Sequence, residues 1–180
     1  MTRAVLSLGS NLGDRYAELC AAVAALDDEL LVASGVYETP PWPPGEQVPP
    51  YLNAAVLVCD QGDDPYHWLR RARELEAAAG RTRSEARPPG APHEPRPLDV
   101  DVVMVWGADD QPVVANEPEF TLPHPRAHLR AFVLRPWLDI QPYAALPGHG
   151  WVTDLMRTEP VAGEVTQLSP RPELPLQSGA

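Results

Sequence analysis

The chain has no lysine: all fourteen of its basic residues are arginine. Schiff-base chemistry is thereby excluded, and so is a Walker-type phosphate loop, whose lysine reaches the β- and γ-phosphates. If such a protein handles phosphate, arginine and metal must do it. Cysteine is nearly absent as well. Cys20, on an expected helix, and Cys59, at an expected strand end, form neither a disulfide framework nor a metal-ligand spacing. They read as two buried thiols in a reducing cytoplasm. No apolar run approaches the roughly 18 residues that a membrane span needs. The start, MTRAVLSLGSN, is too weakly apolar for a signal peptide and leads straight into a strand. Positive charge is scarce. The formal net charge of −11 would repel phosphate backbones, which argues against a nucleic-acid surface.

What remains is 180 residues, 44% of them hydrophobic, enough for one soluble domain with a sizeable core. AVLSL, residues 4–8, is a short apolar strand. GSNLGDR then turns the chain, with Gly9 and Gly13 as turn residues and Asp14 placed to cap a helix over Arg15–Leu26. LVASGVYET is a second strand, ended by Pro40 and Pro41, and the prolines of PPWPPGEQVPP impose a stiff loop carrying Trp42. YLNAAVLVC is a third strand. DDPYHWLRRARELEAAAG is a helix capped by Asp64 and closed by Gly80, with an inward stripe of Trp68, Leu69, Ala72, Leu75 and Ala79. Glu76 lies beside that stripe, where it either snorkels to water or serves a site.

A long loop, RTRSEARPPGAPHEPRP, leads to a valine-dense strand that begins at Leu98. A turn at GADDQ and an extended piece near Val113 and Val114 come next. TLPHPRAHLRAFVLRPWLDI then starts as a proline-limited turn and becomes one or two short helices. From Glu159 the composition shifts to Pro, Glu, Ser and Gln, which reads as a disordered tail over 159–180 behind a single domain over 1–158. The order strand, helix, strand, strand, helix, strand is the α+β, ferredoxin-like split βαβ pattern: an antiparallel four-stranded sheet with helices on one face, here with C-terminal additions.

The chemistry centres on RPLDVDVVMVW. Asp99 and Asp101 are two apart on a strand, so both carboxylates share a face. They are solvated charges, a dyad sharing one proton, or ligands for a hard divalent cation; magnesium prefers such oxygens and completes its shell with water and phosphate. Arg81, Arg83, Arg87 and Arg96 all fall in the stretch leading to them. They either pair with Glu85, Glu94 and the aspartates, or await a ligand that is phosphorylated and metal-bound. Loops this long inside a compact domain are more often functional than idle. His124 and His128 have the spacing of a zinc pair on a helix, but Pro123 and Pro125 oppose a helix there. A phosphate contact from His124 with Arg130, or a structural histidine, are the other readings. GSNLGD lacks both the dinucleotide and the Walker spacing.

SLGSNLGDR, YETPPW, YLNAAV, RPLDVDVV and LPHPRAHLRAFVLRPW, in this order, resemble the 6-hydroxymethyl-7,8-dihydropterin pyrophosphokinase family of folate biosynthesis over roughly residues 3–140. The family fold is also ferredoxin-like. The resemblance implies transfer of the β,γ-pyrophosphoryl group of ATP to the pterin hydroxymethyl oxygen, with release of AMP. It implies ATP as co-substrate and two Mg²⁺ ions held by Asp99 and Asp101. It makes Arg81, Arg83 and Arg96 catalytic with those aspartates, and Glu76, Arg83, Arg96, His124 and Arg130 ATP-binding. Tyr51 and Phe132 would sandwich the pterin, Asn53 would hydrogen-bond its edge, and Thr39, Pro40 and Trp42 would line its pocket. Tyr51 and Asn53 are two apart on one strand, which by itself lets them face one pocket. Family members commonly carry a tryptophan just before the arginine that precedes the aspartates. Here the approach ARPPGAPHEPR is longer and has His93 nearest that place, and Pro125 stands where an aromatic often follows the histidine. The expectation is a cytoplasmic, monomeric enzyme with small-molecule partners and neither nucleic acid nor membrane. Its rivals are a non-catalytic nucleotide- or pterin-binding module and a metal-dependent phosphohydrolase.

Overall fold

A computed structural model describes residues 1–41, 48–80 and 95–177. Trp42, Arg81, Arg83, Arg87 and His93, all singled out above, lie outside the described residues.

Strand β1 (Thr2–Ser10) runs into α1 (Arg15–Leu26), whose first turn is capped by Asp14 Oδ1 accepting the Ala17 N–H at 3.0 Å. Next come β2 (Leu30–Ala33), β3 (Tyr37–Thr39) and β4 (Tyr51–Asp60). The expected single strand over 31–39 is thus broken in two, for a local reason. Ser34 donates its N–H to Ala55 O, and its hydroxyl accepts the Ala55 N–H at 2.8 Å, so a side chain replaces a rung of the ladder. Helix α2 (His67–Ala78) follows, then β5 (Asp99–Trp106), a hairpin of β6 (Ala115–Glu117) and β7 (Phe120–Leu122), and α3 (Ala131–Ile140). After α3 come a second hairpin, β8 (Ala145–Leu146) and β9 (Gly150–Trp151), short helices α4 (Val152–Leu155) and α5 (Val161–Val165), and β10 (Ser169–Pro170).

The main sheet is antiparallel, in the order β10-β3-β4-β1-β5, with β2 also on β4. Central β1 is buried almost throughout and divides two apolar layers. Ala4, Leu6 and Leu8 pack with Leu19, Trp68, Ala72 and Leu75 of α1 and α2; Val5 packs with Ala55, Val133, Leu134 and Trp137 on the other side. Helices therefore cover both faces. The expectation of one helical face did not foresee that α3, the short helix expected in that segment, would cover the other face; its apolar stripe turns it into a second core.

The predicted tail is also corrected. Residues 159–177 are folded onto the domain: β10 pairs with β3, Arg171 N–H bonds Val36 O, and Tyr16 Oη donates to Pro175 O. Leu174 and Leu176 pack on the first core, and the Glu164 carboxylate accepts the Ala131 N–H at the start of α3. Low apolar content concealed this because main-chain and side-chain hydrogen bonds carry much of the attachment. Cys20 and Cys59 are half-buried free thiols rather than core residues.

Candidate active site

One irregularity in β5 sets the site. The register against β1 pairs Leu6 with Val102 and Val5 with Met104, leaving Val103 as an extra residue. Such a bulge resets strand alternation. Val100 and Val102 face the α1/α2 layer before it and Val105 after it, while Val103 and Met104 both face the α3 layer. Asp99 and Asp101 share the parity of Val103 and so point to the α3 side, at the sheet end that α3 leaves open. Ser7 and Gly9 lie opposite them on β1.

A cavity of about 410 Å³ opens there. Tyr51, Asn53, Glu76, Arg96, Asp99, Asp101, His124, Arg130 and Phe132 all line it. Thr39 and Pro40 line a smaller pocket next door that shares Phe132. Nine of the predicted residues thus meet in one space, two stand beside it, and Trp42, Arg81 and Arg83 lie outside the described residues.

Each aspartate has an arginine. Arg96 Nη1 donates to Asp99 Oδ1 at 2.8 Å, and Arg130 Nη1 donates to Asp101 Oδ2 at 3.0 Å. Burial pulls the Arg96 guanidinium down, but Asp99, with Tyr51 and Asp101, outweighs it and holds the group above its ordinary value. For Arg130 burial wins over Asp101 and the shift is downward, which still leaves an arginine charged at neutral pH. Arg130 also lies over the Phe132 ring, 5.6 Å from its centroid. The carboxylates remain about a third exposed to the cavity, at 29% and 33%. That makes the like-charged pair tolerable: it is neutralised by two arginines and still reaches solvent.

His124 is fixed by its backbone, whose N–H donates to Val103 O at 2.8 Å on the open edge of β5. Its Nδ1 accepts the Arg126 N–H at 3.2 Å, so the neutral ring carries its proton on Nε2, facing Asp101 Oδ2 at 3.7 Å. Burial, with Arg130 and Arg126 nearby, lowers the pKa of this ring despite Asp101. The zinc-pair reading falls. His128, in the middle of a 3₁₀ turn over Ala127–Leu129, stacks instead on His149, with centroids 3.9 Å apart.

Glu76 does not snorkel. It is buried, and its Oε1 accepts the Val100 N–H at 3.0 Å. On β4, Asn53 donates Nδ2–H to Thr39 Oγ1 at 2.7 Å, which sets the orientation of its amide. A Cβ on Gly9 would lie 3.2 Å from Asn53 Oδ1 and 3.6 Å from Tyr51 Cδ1, so the glycine keeps the floor open. Gly9, expected as a turn residue, sits inside β1. Also unforeseen are Asn11, the wall formed by Pro118–Thr121 of the β6–β7 hairpin, and Arg126.

Two hard carboxylates on the floor of a polar cavity, with no thiol or imidazole pair among its described lining residues, suit magnesium. Among the described residues the one convergent set of three potential ligands lies elsewhere, at Glu29, Asp60 and His67, where Glu29 already binds His67 and Arg71. At Asp99 and Asp101, phosphate oxygens and water would have to complete the shell.

Comparison with known proteins agrees with this reading. The family model for 7,8-dihydro-6-hydroxymethylpterin-pyrophosphokinase (HPPK) matches residues 5–142. The chain is 47% identical over 150 residues to the 2-amino-4-hydroxy-6-hydroxymethyldihydropteridine pyrophosphokinase of Mycobacterium tuberculosis, covering 81% of this chain and 76% of that one. It is 37% identical over 164 residues to the protein of the same name from Methylorubrum extorquens, covering 89% and 96%. Plasmodium falciparum HPPK-DHPS, crystallised with STZ-DHP, superposes with a TM-score of 0.62 at 11% identity. That match covers 94% of this chain and 46% of the Plasmodium chain, so this chain spans under half of it, and the likeness speaks to the fold. On the family model and these identities, the chain belongs to the HPPK family.

Proposed function

We propose that this protein transfers the β,γ-pyrophosphoryl group of ATP to the hydroxymethyl oxygen of 6-hydroxymethyl-7,8-dihydropterin, in folate biosynthesis. The new bond joins that oxygen to the β-phosphorus. The bond from the β-phosphorus to its bridging oxygen breaks, AMP leaves with that oxygen, and the hydroxyl proton passes to solvent. The observation carrying this reading is that the β5 aspartates and the β4 pair Tyr51 and Asn53 open into one cavity. A phosphate subsite and a flat heterocycle subsite then lie within reach of each other.

On the phosphate side Arg96, Arg130 and His124 bind the triphosphate, the arginines exchanging part of their hold on the aspartates for phosphate oxygens. Glu76 holds the start of β5 and borders the nucleotide. Arg81 and Arg83 are assigned to the transferred phosphates on the family resemblance. Asp99 and Asp101 would hold magnesium, two ions by that resemblance, which when bound neutralises triphosphate charge and lowers the proton affinity of the attacking hydroxyl. On the pterin side Tyr51 and Phe132 stack on the ring. Asn53, oriented by Thr39, presents a donor and an acceptor to its lactam edge, with Pro40 beside it and Trp42 assigned to the same pocket on the family resemblance.

We read the strand order as ferredoxin-like: with β2 and β3 counted as one interrupted strand, β1-α1-β2/β3-β4-α2-β5 gives the split βαβ arrangement. The free thiols support assignment to a reducing cytoplasm, and among the described residues no helix is long and apolar enough to cross a membrane. We assign a monomer. The test mixes protein, magnesium, ATP and the pterin and follows AMP against ADP. Pterin-dependent AMP is expected. Hydrolysis without pterin would favour a phosphohydrolase, and no product at all a binding module.

A further inference from the structure

The site rests on a buried amide that lines no part of the cavity. Asn11 follows β1 directly and is 1% exposed. Its Oδ1 accepts the Arg96 N–H at 2.8 Å, and its own N–H donates to Arg96 O at 3.3 Å. Its Nδ2 donates to Pro49 O at 3.4 Å. These contacts run in two directions. Arg96 is the residue whose guanidinium holds Asp99 at 2.8 Å, and it enters the edge strand that carries both aspartates. Pro49 stands two residues before Tyr51, on the approach to the strand that carries Tyr51 and Asn53. A second tie, Arg15 Nη1 to Pro50 O at 2.9 Å, fixes the same approach to α1.

We propose that Asn11 is a positioning residue that fastens the phosphate side of the site and its pterin side to one point at the end of β1. The inference rests on the pyrophosphokinase reading above. An apolar residue of the same size would fill the space yet strand the Arg96 N–H and Pro49 O away from water. A hydroxyl residue would be too short to reach both. A side chain with an acceptor and a donor on one rigid plane serves two backbones at once, and an amide supplies both within the volume of this buried position, which the larger imidazole ring exceeds. Because the two ends of the amide serve different subsites, they can be separated by substitution.

Asn11→Asp keeps an acceptor for the Arg96 N–H but sets an oxygen against Pro49 O. Asn11→Ala removes both contacts. The experiment measures kcat, the KM for ATP and the KM for the pterin from AMP release in both variants. It also measures equilibrium binding of the pterin and of a non-hydrolysable ATP analogue by calorimetry below each variant's melting temperature. For Asn11→Asp the expectation is a rise of about tenfold in pterin KM and Kd, the loss of roughly one hydrogen bond, with ATP values within about twofold of wild type. For Asn11→Ala both KM values rise and kcat falls by at least about tenfold. If Asn11→Ala does not fold, Asn11→Asp alone decides. Variants that melt earlier yet keep kcat and both affinities within about twofold would reduce Asn11 to a packing residue and overturn the proposal. An Asn11→Asp defect confined to ATP would overturn it equally. Wild-type enzyme that releases no pterin-dependent AMP would overturn the reading beneath it instead, which separates the two failures.

Discussion

Glu76 provides a sharp test of how the site is held, because its carboxylate stabilises a backbone group of the strand that carries the aspartates. Among the described residues β5 is the outer strand of the sheet on that side, so none of them offers the Val100 N–H a neighbouring strand. Glu76 Oε1 takes it at 3.0 Å, with Glu76 3% exposed and Val100 6% exposed. Truncation to alanine leaves that N–H buried and unsatisfied, at a cost of about 1–3 kcal/mol. The vacated methylene space adds about 1 kcal/mol. The total of about 2–4 kcal/mol, at about 2–4 °C of melting temperature per kcal/mol for a domain of this size, places Glu76→Ala about 4–16 °C below wild type. Glu76→Gln keeps an acceptor in place and should stay within about 3 °C. Scanning calorimetry gives the shifts, and amide hydrogen exchange at Val100 reports the bond itself, which should lose protection in the alanine variant and keep it in the glutamine one. If Glu76→Ala melts with the wild type and Val100 stays protected, the carboxylate is not what holds β5, and the argument from the buried hydrogen bond is wrong.

Gly9→Ala should raise the pterin KM by about tenfold or more while sparing the ATP KM, since its methyl would meet Asn53 Oδ1 at 3.2 Å and displace it; equal effects on both substrates would refute this. Truncation after Leu168 should lower the melting temperature by several degrees, on the order of 1–3 kcal/mol for Leu174, Leu176 and the lost hydrogen bonds less the entropy regained. An unchanged melt would show that the segment is decoration. His128 has its pKa lowered by burial, and then by the charge of His149 stacked on it. The unfolded chain therefore takes up a proton below about pH 6.5 before the folded one does, and stability falls as pH drops through that window. Melting followed from pH 7.5 to 5.5 should show a shallower decline in His128→Asn than in wild type, and parallel curves would contradict it.

Some of this was legible in the residues and some was not, for physical reasons. Asp99 and Asp101 on one face followed from strand parity alone, as did Tyr51 and Asn53, because each pair lies within an uninterrupted stretch of its strand, Asp99 and Asp101 ahead of the bulge. Two things broke the local rules. The bulge at Val103, invisible in a run of valines, decides which layer the aspartates face. The β6–β7 hairpin, ANEPEFTL, carries no alternating apolar pattern, yet it walls the cavity through Pro118–Thr121. Glu76 was ambiguous because helical position cannot tell an exposed carboxylate from one that finds an edge-strand N–H. Asn11 gave a weak signal, an amide among turn residues, since its partners at 49 and 96 are distant in sequence. The folded segment 159–177 failed on composition: β10 and its neighbours are held by backbone pairing to β3 and by contacts such as Gln177 Oε1 with the Ala33 N–H.

The central claim is that Asp99 and Asp101 serve the phosphate chemistry and not the fold. Pterin-dependent AMP release at saturating ATP and magnesium, compared among wild type, Asp99→Asn and Asp101→Asn, tests it most directly. Asparagine keeps an acceptor for Arg96 or Arg130, so both variants should remain folded and bind the pterin. Their turnover should drop by more than about a hundredfold, the scale of losing a group aimed at developing charge. Folded variants that release AMP at near wild-type rates would contradict the account.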